Sequence, residues 1–220
     1  MRVAVFSDIH AHAEALDAVL RAVLAARVDQ LWCLGDMLGN GPDGAYVVER
    51  VRAFCTVALL GNHDYIEEAR AGLSAEDLAW MKRRRPAARR EGVQCWHGGP
   101  RNPVREYVTP ATAAACLEVQ RESLGLVGHT HTAAAFRAGV RRPVPFVVGE
   151  PLSVAEGKWL LNPGAVGAPV PPRGEWWAGL DADPFAWWLE LDLLARTATW
   201  WRAEYDPVPA RERAAARGLV

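Results

Sequence analysis

Apolar residues in the first 60 positions alternate between two kinds of spacing. The short run Arg2–Phe6 is rich in Val and Phe, as in a buried strand, and Ala13–Ala26 places its apolar residues at helical spacing. Gln30–Leu34 returns to a strand pattern, Ala45–Phe54 to a helical one, and Thr56–Leu60 to a strand. This β-α-β-α-β order predicts parallel strands joined by helical crossovers.

The middle of the chain continues with shorter elements. Leu73–Met81 predicts a helix with Ser74 as its N-cap, and Thr109–Glu122 predicts a second helix. Val93–Trp96 and Leu124–Val127 predict strands. These elements extend the alternation of helix and strand to about residue 130.

A basic run, Lys82–Arg90, follows the first of these helices. The interpretation that we favour is a solvated helix end followed by a loop. The alternative is a local positive field that attracts an anionic substrate or a protein partner.

From residue 132 onward the alternation stops and predicted strands follow one another. They cover Ala134–Arg137, Pro145–Val148, Trp159–Leu161, and a hairpin-like pair at Phe185–Leu191 and Thr197–Glu204. A parallel first half and a strand-rich second half predict two sheets packed face to face with helices outside. Residues 1–220 are expected to form one domain that ends in a surface helix, Pro209–Arg217.

Six of the ten tryptophans form adjacent pairs. Neighbouring residues of a strand point to opposite faces, so Trp187-Trp188 and Trp200-Trp201 can each place only one ring in a given core. Trp176-Trp177 lies in a Gly- and Pro-rich segment, where it is a candidate wall of a substrate pocket or a dimer contact.

Composition excludes several classes of protein. The 26 acidic and 25 basic residues nearly balance, which gives no global reason to expect a nucleic-acid or membrane partner. The four cysteines lie singly, without the C-x-x-C spacing of zinc or redox sites. No signal-peptide core and no run of 18 apolar residues is present. A cytoplasmic setting with free thiols is therefore expected.

Polar side chains that can bind metal follow five consecutive predicted strands. A helix cap or polar turn explains any one of these fragments, but less readily the whole set. The fragments are Asp8-Ile9-His10, Gly35-Asp36, Gly61-Asn62-His63-Asp64, His97-Gly98-Gly99 and Gly128-His129-Thr130-His131.

Carboxylate, imidazole and amide ligands without thiolate suit Mn, Fe, Zn or Ni better than Ca or structural zinc. There are more ligands than one ion needs, and a carboxylate can bridge two ions. Ions about 3.5–4 Å apart can clamp the attacking and leaving oxygens of phosphoryl transfer. The set therefore predicts a centre of two divalent ions.

The order D-x-H, G-D, G-N-H-D, H, G-H-x-H resembles the calcineurin-like metallophosphoesterase superfamily over residues 8–131. The resemblance implies a four-layer αββα sandwich, with two mainly mixed sheets, that hydrolyses a phosphodiester or phosphomonoester. It also implies that Asp36 bridges two ions and that a hydroxide between them is the nucleophile. One ion would be held by Asp8, His10 and His131, and the other by Asn62, His97 and His129.

His63 corresponds in this resemblance to a histidine that binds no metal. It protonates the leaving oxygen or stabilises charge in the transition state, and Asp64 orients its ring. A catalytically degenerate scaffold with the same fold is the alternative of a different class. Because a scaffold has no need of His63, its presence favours an enzyme.

The chain most resembles small bacterial phosphodiesterases and phosphatases of the superfamily. Asn162–Gly167 is similar to their N-P-G-S-V-G segment, and His97–Pro100 to their H-G-S-P. The D-R-G continuation of symmetric dinucleoside tetraphosphatases and eukaryotic-type protein phosphatases is missing after Asp36, so these identities are less favoured alternatives. The expected partner is a phosphorylated, nucleotide-like small molecule, and a homo-oligomer stays open. Candidate substrate contacts are Asn40, Arg101, Asn162 and Gly164.

Overall fold

The computed structural model describes residues 1–39, 41–167 and 185–217. Within these ranges the helices are α1 (Ala13–Ala26), α2 (Gly44–Phe54), α3 (Ala75–Lys82), α4 (Ala113–Val119) and α5 (Val208–Ala216). The strands are β1 (Arg2–Phe6), β2 (Gln30–Cys33), β3 (Cys55–Ala58), β4 (Ala87–Arg90), β5 (Val93–Trp96), β6 (Leu124–Leu126), β7 (Ala134–Arg137), β8 (Leu152–Ser153), β9 (Trp159–Asn162), β10 (Phe185–Asp192) and β11 (Thr197–Glu204).

The strands of the described residues form two mixed sheets. One has the order β3-β2-β1-β10-β11-β8, and the other β4-β5-β6-β9-β7. The predicted parallel pairing of β1, β2 and β3 is confirmed, and β10 adds to the other side of β1 in the antiparallel direction. In the second sheet β5, β6 and β9 are parallel. The parallel strands of each sheet end at a common edge, where their loops can meet.

Three apolar layers hold the elements together. One lies between α1, α2 and the first sheet, and a second fills the space between the sheets with residues such as Val5, Leu34, Leu126 and Leu161. The third lies between the second sheet and α4. The predicted four-layer αββα sandwich is confirmed.

The tryptophan pairs of the β10–β11 hairpin divide between two layers, as predicted. Trp188 and Trp201 pack in the layer under the helices, with ring centroids 6.0 Å apart. Trp187 and Trp200 pack in the layer between the sheets. Trp176-Trp177 lies outside the described residues.

The basic run is only partly the loop that was predicted. Its exposed cations, such as Arg89 and Arg90, are solvated as expected, but Ala87–Arg90 forms the edge strand β4. Glu91 (φ 50°) and Gly92 (φ 74°) link β4 to β5 in a two-residue turn with positive φ at both positions. Such turns match the twist of a hairpin.

Two other element predictions need correction. No strand forms at Pro145–Val148, because Pro143 and Pro145 have no N–H to donate to a ladder. The helix predicted at Thr109–Glu122 is limited to α4, since Gln120 is extended (ψ 134°) and its side chain donates to the carbonyl oxygens of Glu122 and Trp159. Among helices of the described residues, none is long and apolar enough to cross a membrane.

Candidate metal centre

The loops after β1 and β2 are joined by backbone hydrogen bonds. The N–H of Asp8 donates to the carbonyl oxygen of Gly35 (3.0 Å), and the N–H of His10 donates to that of Asp36 (3.0 Å). Because each loop continues its strand for only a few residues, these bonds hold both carboxylates at the same edge of the sheet.

Five candidate ligands in the loops after β1, β2 and β6 have left-handed backbone. They are Asp8 (φ 56°), His10 (φ 51°), Asp36 (φ 51°), His129 (φ 64°) and His131 (φ 58°). This conformation is uncommon for residues with a Cβ, and it clusters at functional sites, where surrounding contacts enforce it. The backbone turns sharply at each position and directs the side chains to a common centre.

The first group of candidate ligands contains Asp8, His10 and His131, whose ligand atoms lie within 4.8 Å of one another. His131 Nε2 is 3.4 Å from Asp8 Oδ1 and 3.0 Å from His10 Nε2. Asp8 Oδ2 accepts the backbone N–H of His129 (3.0 Å), which leaves Oδ1 to face the two imidazoles.

The second group contains Asp36, His97 and His129, also within 4.8 Å of one another. His97 Nε2 is 3.5 Å from Asp36 Oδ2 and 3.1 Å from Asn62 Oδ1, so the Asn62 amide belongs to the same cluster. His97 Nδ1 is 3.1 Å from the carbonyl oxygen of Leu34. Since a carbonyl only accepts, Nδ1 carries the proton and Nε2 presents its lone pair to the cluster.

Asp36 lies between the two groups. Its Oδ2 is 3.8 Å from His10 Nε2 and 3.5 Å from His97 Nε2, and its Oδ1 accepts the backbone N–H of His63 (2.8 Å). A Cβ at Gly61 would overlap this carboxylate, so the residue at 61 has to be glycine for Asp36 to keep its position. One carboxylate oxygen is thus directed at both groups.

Several buried polar atoms of the cluster lack a partner. Within the described part of the chain, Asp8 Oδ1, Asp36 Oδ2 and His129 Nε2 have no hydrogen bond. Buried polar atoms are normally paired, so two unpaired carboxylate oxygens beside an unpaired imidazole nitrogen indicate a site for a cation.

The electrostatics of the cluster also fit a cation. Burial lowers the pKa of His97. Burial and the charge of a protonated His131 lower the pKa of His10. Burial and the charge of a protonated His97 lower the pKa of His129 to about 4. These three imidazoles are therefore neutral, which is the form that binds metal. Burial and the nearby charge of Asp8 raise the pKa of Asp36, so a positive charge beside it would stabilise its ionised form. The carboxylate oxygens and imidazole nitrogens of the cluster therefore fit a divalent metal ion.

His63 lies at the edge of the cluster. Its ring meets that of His10 edge-on, with centroids 4.8 Å apart, and it is only half-buried. It can also join His10 and Asp36 in a third group of close ligand atoms. Burial and His131 lower the pKa of His63.

The arrangement of Asp64 differs from the prediction that it orients the ring of His63. Its two carboxylate oxygens accept the backbone N–H groups of Leu38 (2.9 Å) and Gly61 (2.9 Å) instead. Burial raises the pKa of Asp64 to about 6, although these hydrogen bonds act to lower it. Asp64 therefore fixes the two loops around His63 and does not hydrogen-bond its ring within the described residues.

Two predicted substrate contacts have structural roles in the described part of the chain. The buried Asn162 donates Nδ2 to the carbonyl oxygen of Gly128 (2.8 Å) and to Thr130 Oγ1 (2.9 Å), and its Oδ1 accepts the N–H of Gly164 (2.8 Å). A Cβ on Gly164 would lie 2.8 Å from Trp187 Cβ. The side-chain amide of Asn162 and the N–H of Gly164 are thus engaged within the protein.

The other two substrate candidates differ from each other. Arg101 is exposed, and its guanidinium Nε donates to Glu106 Oε1 (2.5 Å), so a neighbouring carboxylate engages part of its donor set. Asn40 lies outside the described residues.

Sequence reasoning missed one residue of the site. The ring of Tyr107 stacks on His129, with centroids 4.0 Å apart and planes 28° apart, while the tyrosine stays 42% exposed. An exposed aromatic residue beside a candidate ligand contacts both the cluster and the solvent. Its sequence signal was weak, because a lone tyrosine in a loop has no spacing to mark it.

Comparison with known proteins gives a consistent result. Residues 1–183 match the profile of the calcineurin-like phosphoesterase superfamily domain. The structure of a metallophosphoesterase from Sphaerobacter thermophilus is similar over 100% of this chain and 95% of that one, with a TM-score of 0.88 and 31% identity.

Two further relatives are similar in sequence. An uncharacterised protein of Methanocaldococcus jannaschii is 29% identical over 200 residues, covering 76% of each chain. A symmetrical bis(5'-nucleosyl)-tetraphosphatase of Erwinia tasmaniensis is 42% identical over 60 residues, covering 26% of this chain and 22% of that protein. The profile match spans most of the sequence, and the chain therefore belongs to the calcineurin-like phosphoesterase superfamily.

Proposed function

We propose that this chain hydrolyses a phosphodiester or phosphomonoester bond of a small, nucleotide-like molecule with the help of two divalent transition-metal ions. The observation that carries the proposal is the position of Asp36. Its unpaired Oδ2 faces His10 Nε2 at 3.8 Å and His97 Nε2 at 3.5 Å, so one carboxylate can serve two adjacent ion sites.

The ligands divide between the two sites along the groups described above. Asp8, His10 and His131 would hold one ion, Asp36 would be shared, and the other ion would be held by Asn62, His97 and His129. Oxygen and nitrogen donors without thiolate suit Mn, Fe, Zn or Ni. Bound ions of this kind supply positive charge to a phosphoryl group and lower the pKa of water.

His63 is the residue of the cluster proposed to act on the substrate. A neutral imidazole can still donate a hydrogen bond to the leaving oxygen or to a phosphoryl oxygen. Its ring stands beside His10 but retains solvent access, as a group that meets a substrate requires. Asp64 supports this role through the backbone of the loop.

A dinucleoside polyphosphate is the second candidate substrate. The similarity to a symmetrical bis(5'-nucleosyl)-tetraphosphatase favours it, although the similarity covers only 26% of the chain and the D-R-G continuation after Asp36 is missing. Dinucleoside polyphosphates therefore rank behind simple phosphodiesters and phosphomonoesters as candidate substrates.

Two broader expectations also belong to the proposal. Residues 1–220 form one domain, which is supported by the pairing of the late strand β10 with the first strand β1. The protein works in the cytoplasm, which is supported by four cysteines that are all free in the structure.

The test is hydrolysis of an aryl phosphodiester and an aryl phosphomonoester by protein stripped of metal and then loaded with Mn, Fe, Co, Ni or Zn. We expect turnover with at least one metal, and its loss in Asp36→Asn, which lacks the shared negative charge. Asp17→Asn in α1, where asparagine can still accept the hydrogen bond from Tyr46, is the matched control. Wild-type protein that binds metal but turns over neither these esters nor dinucleoside polyphosphates would favour the scaffold alternative.

A further inference from the structure

The C-terminal helix α5 is tied to the beginnings of both α1 and α2 by one side chain. Arg213 binds Asp43 with two hydrogen bonds, from Nε to Oδ1 (3.1 Å) and from Nη2 to Oδ2 (2.7 Å). The same Nη2 donates to Glu14 Oε1 (2.6 Å) in the first turn of α1. Two-pronged contacts of arginine with a carboxylate fix its geometry as well as its charge.

The side chain of Asp43 does not cap helix α2, because it binds Arg213 instead. It occupies the N-cap position of α2, where an aspartate side chain normally accepts an N–H of the first turn. Here the side chain makes no capping hydrogen bond, and both oxygens bind Arg213. Helix α2 thus lacks a side-chain cap that would stabilise it by about 1 kcal/mol, and the same carboxylate links it to α5 instead.

The segment before α2, which includes Gly39, Gly41 and Asp43, packs directly on the candidate metal centre. The N–H of Asp43 donates to the carbonyl oxygen of Ala11 (2.9 Å), and the N–H of Gly41 donates to that of His10 (2.7 Å). A Cβ on Gly39 would lie 2.6 Å from His10 Nδ1 and 3.0 Å from His63 Nδ1. A shift of this segment would therefore move His10 and His63.

Helix α5 itself is firmly placed. Ala210 and Ala214 are buried, and Arg217 donates to the carbonyl oxygen of Pro42. Arg213 lies on this helix, and its side chain is 37% exposed while that of Asp43 is 12% exposed. The contact is therefore shielded in part from solvent, which strengthens it relative to a surface ion pair.

We propose that Arg213 is a positioning residue of the metal centre, which acts through Asp43 and Glu14 to fix the backbone beside His10 and His63. This inference rests on the proposed function for its effect on turnover. Its effect on the backbone and on metal affinity is independent of any reaction.

The test compares Arg213→Ala with Arg211→Ala, which removes an exposed arginine two residues earlier on the same helix. Three quantities are measured in the full-length protein: hydrogen exchange at the amides of Gly41 and Asp43, Mn²⁺ affinity by calorimetry, and kcat and KM on the aryl ester. Arg213→Lys, which keeps the charge but not the two-pronged geometry, is the conservative variant.

For Arg213→Ala we expect amide exchange at Gly41 and Asp43 to rise about tenfold, because local opening becomes easier. We also expect Mn²⁺ affinity to fall, and kcat to fall by about 10–100-fold with little change in KM, since misplaced groups act mainly on the chemical step. Arg213→Lys should recover part of each loss, and Arg211→Ala should match the wild type.

A purely structural role predicts a different result. Arg213→Ala would then lower the melting temperature but leave exchange at Gly41 and Asp43, Mn²⁺ affinity and kcat as in Arg211→Ala, and this overturns the inference. If Arg213→Ala does not fold, Asp43→Asn and Arg213→Lys give the same comparison from the two ends of the contact. If the wild type shows no turnover, the proposed function fails, while exchange and Mn²⁺ affinity still decide the role of Arg213.

Discussion

Replacing Asn162 by alanine should destabilise the loop of His129 and His131 and should not remove a contact with substrate. The side chain of Asn162 is 1% exposed and joins three points of the chain: the carbonyl oxygen of Gly128, the hydroxyl of Thr130 and the N–H of Gly164. Alanine can make none of these bonds, and it leaves all three groups without their partner.

The expected loss follows from these contacts. A buried hydrogen bond contributes about 0.5–1.5 kcal/mol net, so three of them give a decrease of about 2–4 kcal/mol in the free energy of unfolding. For a chain of this size, that corresponds to a decrease of roughly 5–15 °C in melting temperature. Thr130→Val removes only one of the bonds and should cost about 1 kcal/mol.

The assay is urea unfolding of the metal-free protein, with the two single variants and the double variant in one cycle. The effects of Asn162→Ala and Thr130→Val should overlap by about 1 kcal/mol, because both remove the same bond. Metal-loaded enzyme should keep its KM within about threefold. Unchanged stability together with a large rise in KM would refute this reasoning and make Asn162 a substrate contact.

Three further predictions concern the site itself. His63→Ala should lower kcat by about 10²–10⁴-fold while metal content, measured by mass spectrometry, stays at the wild-type level; loss of metal would show that His63 is a ligand. Removal of metal with a chelator should abolish ester hydrolysis, and adding back one of Mn, Fe, Co, Ni or Zn should restore it; activity that survives metal removal would contradict the proposed role of the ions. Tyr107→Ala should weaken Mn²⁺ binding about 3–10-fold in calorimetry, because a stacked ring pair contributes about 0.5–1.5 kcal/mol. Tyr107→Phe keeps the ring and should bind like the wild type, whereas equal weakening by both variants would assign the effect to the hydroxyl.

The sequence predicted the position of the candidate ligands better than their surroundings. Asp8 and Asp36 follow the neighbouring parallel strands β1 and β2 of one sheet, and parallel strands of one sheet end at one edge, so the convergence of these two residues could be anticipated. His97 follows β5 of the other sheet, and its approach to them depends on how the two sheets pack. The role of Asn162, as a substrate contact or a structural residue, could not be predicted in this way. The resemblance located its segment near the site, but an amide can donate inward to backbone as readily as outward to substrate.

The errors in secondary structure have physical causes that a one-dimensional pattern hides. The strand β4 contains Arg89 and Arg90, which are unusual in a sheet but tolerated at an edge, where charged side chains remain in water. The apolar pattern of Pro145–Val148 predicts a strand, yet Phe146 stacks on Trp200, with centroids 4.1 Å apart, and lies outside the strands. The edge position of β4 thus decided the first outcome, and the missing N–H groups of Pro143 and Pro145 decided the second.

The left-handed backbone at Asp8, His10, Asp36, His129 and His131 has a consequence for the evolution of this chain. Strain at such positions costs on the order of 1 kcal/mol or more for each residue, and glycine or asparagine would relieve it. A descendant that no longer needed metal could therefore gain stability by changing these residues. Directed evolution for thermostability alone should accordingly erode the metal centre first, and selections should include a requirement for metal binding.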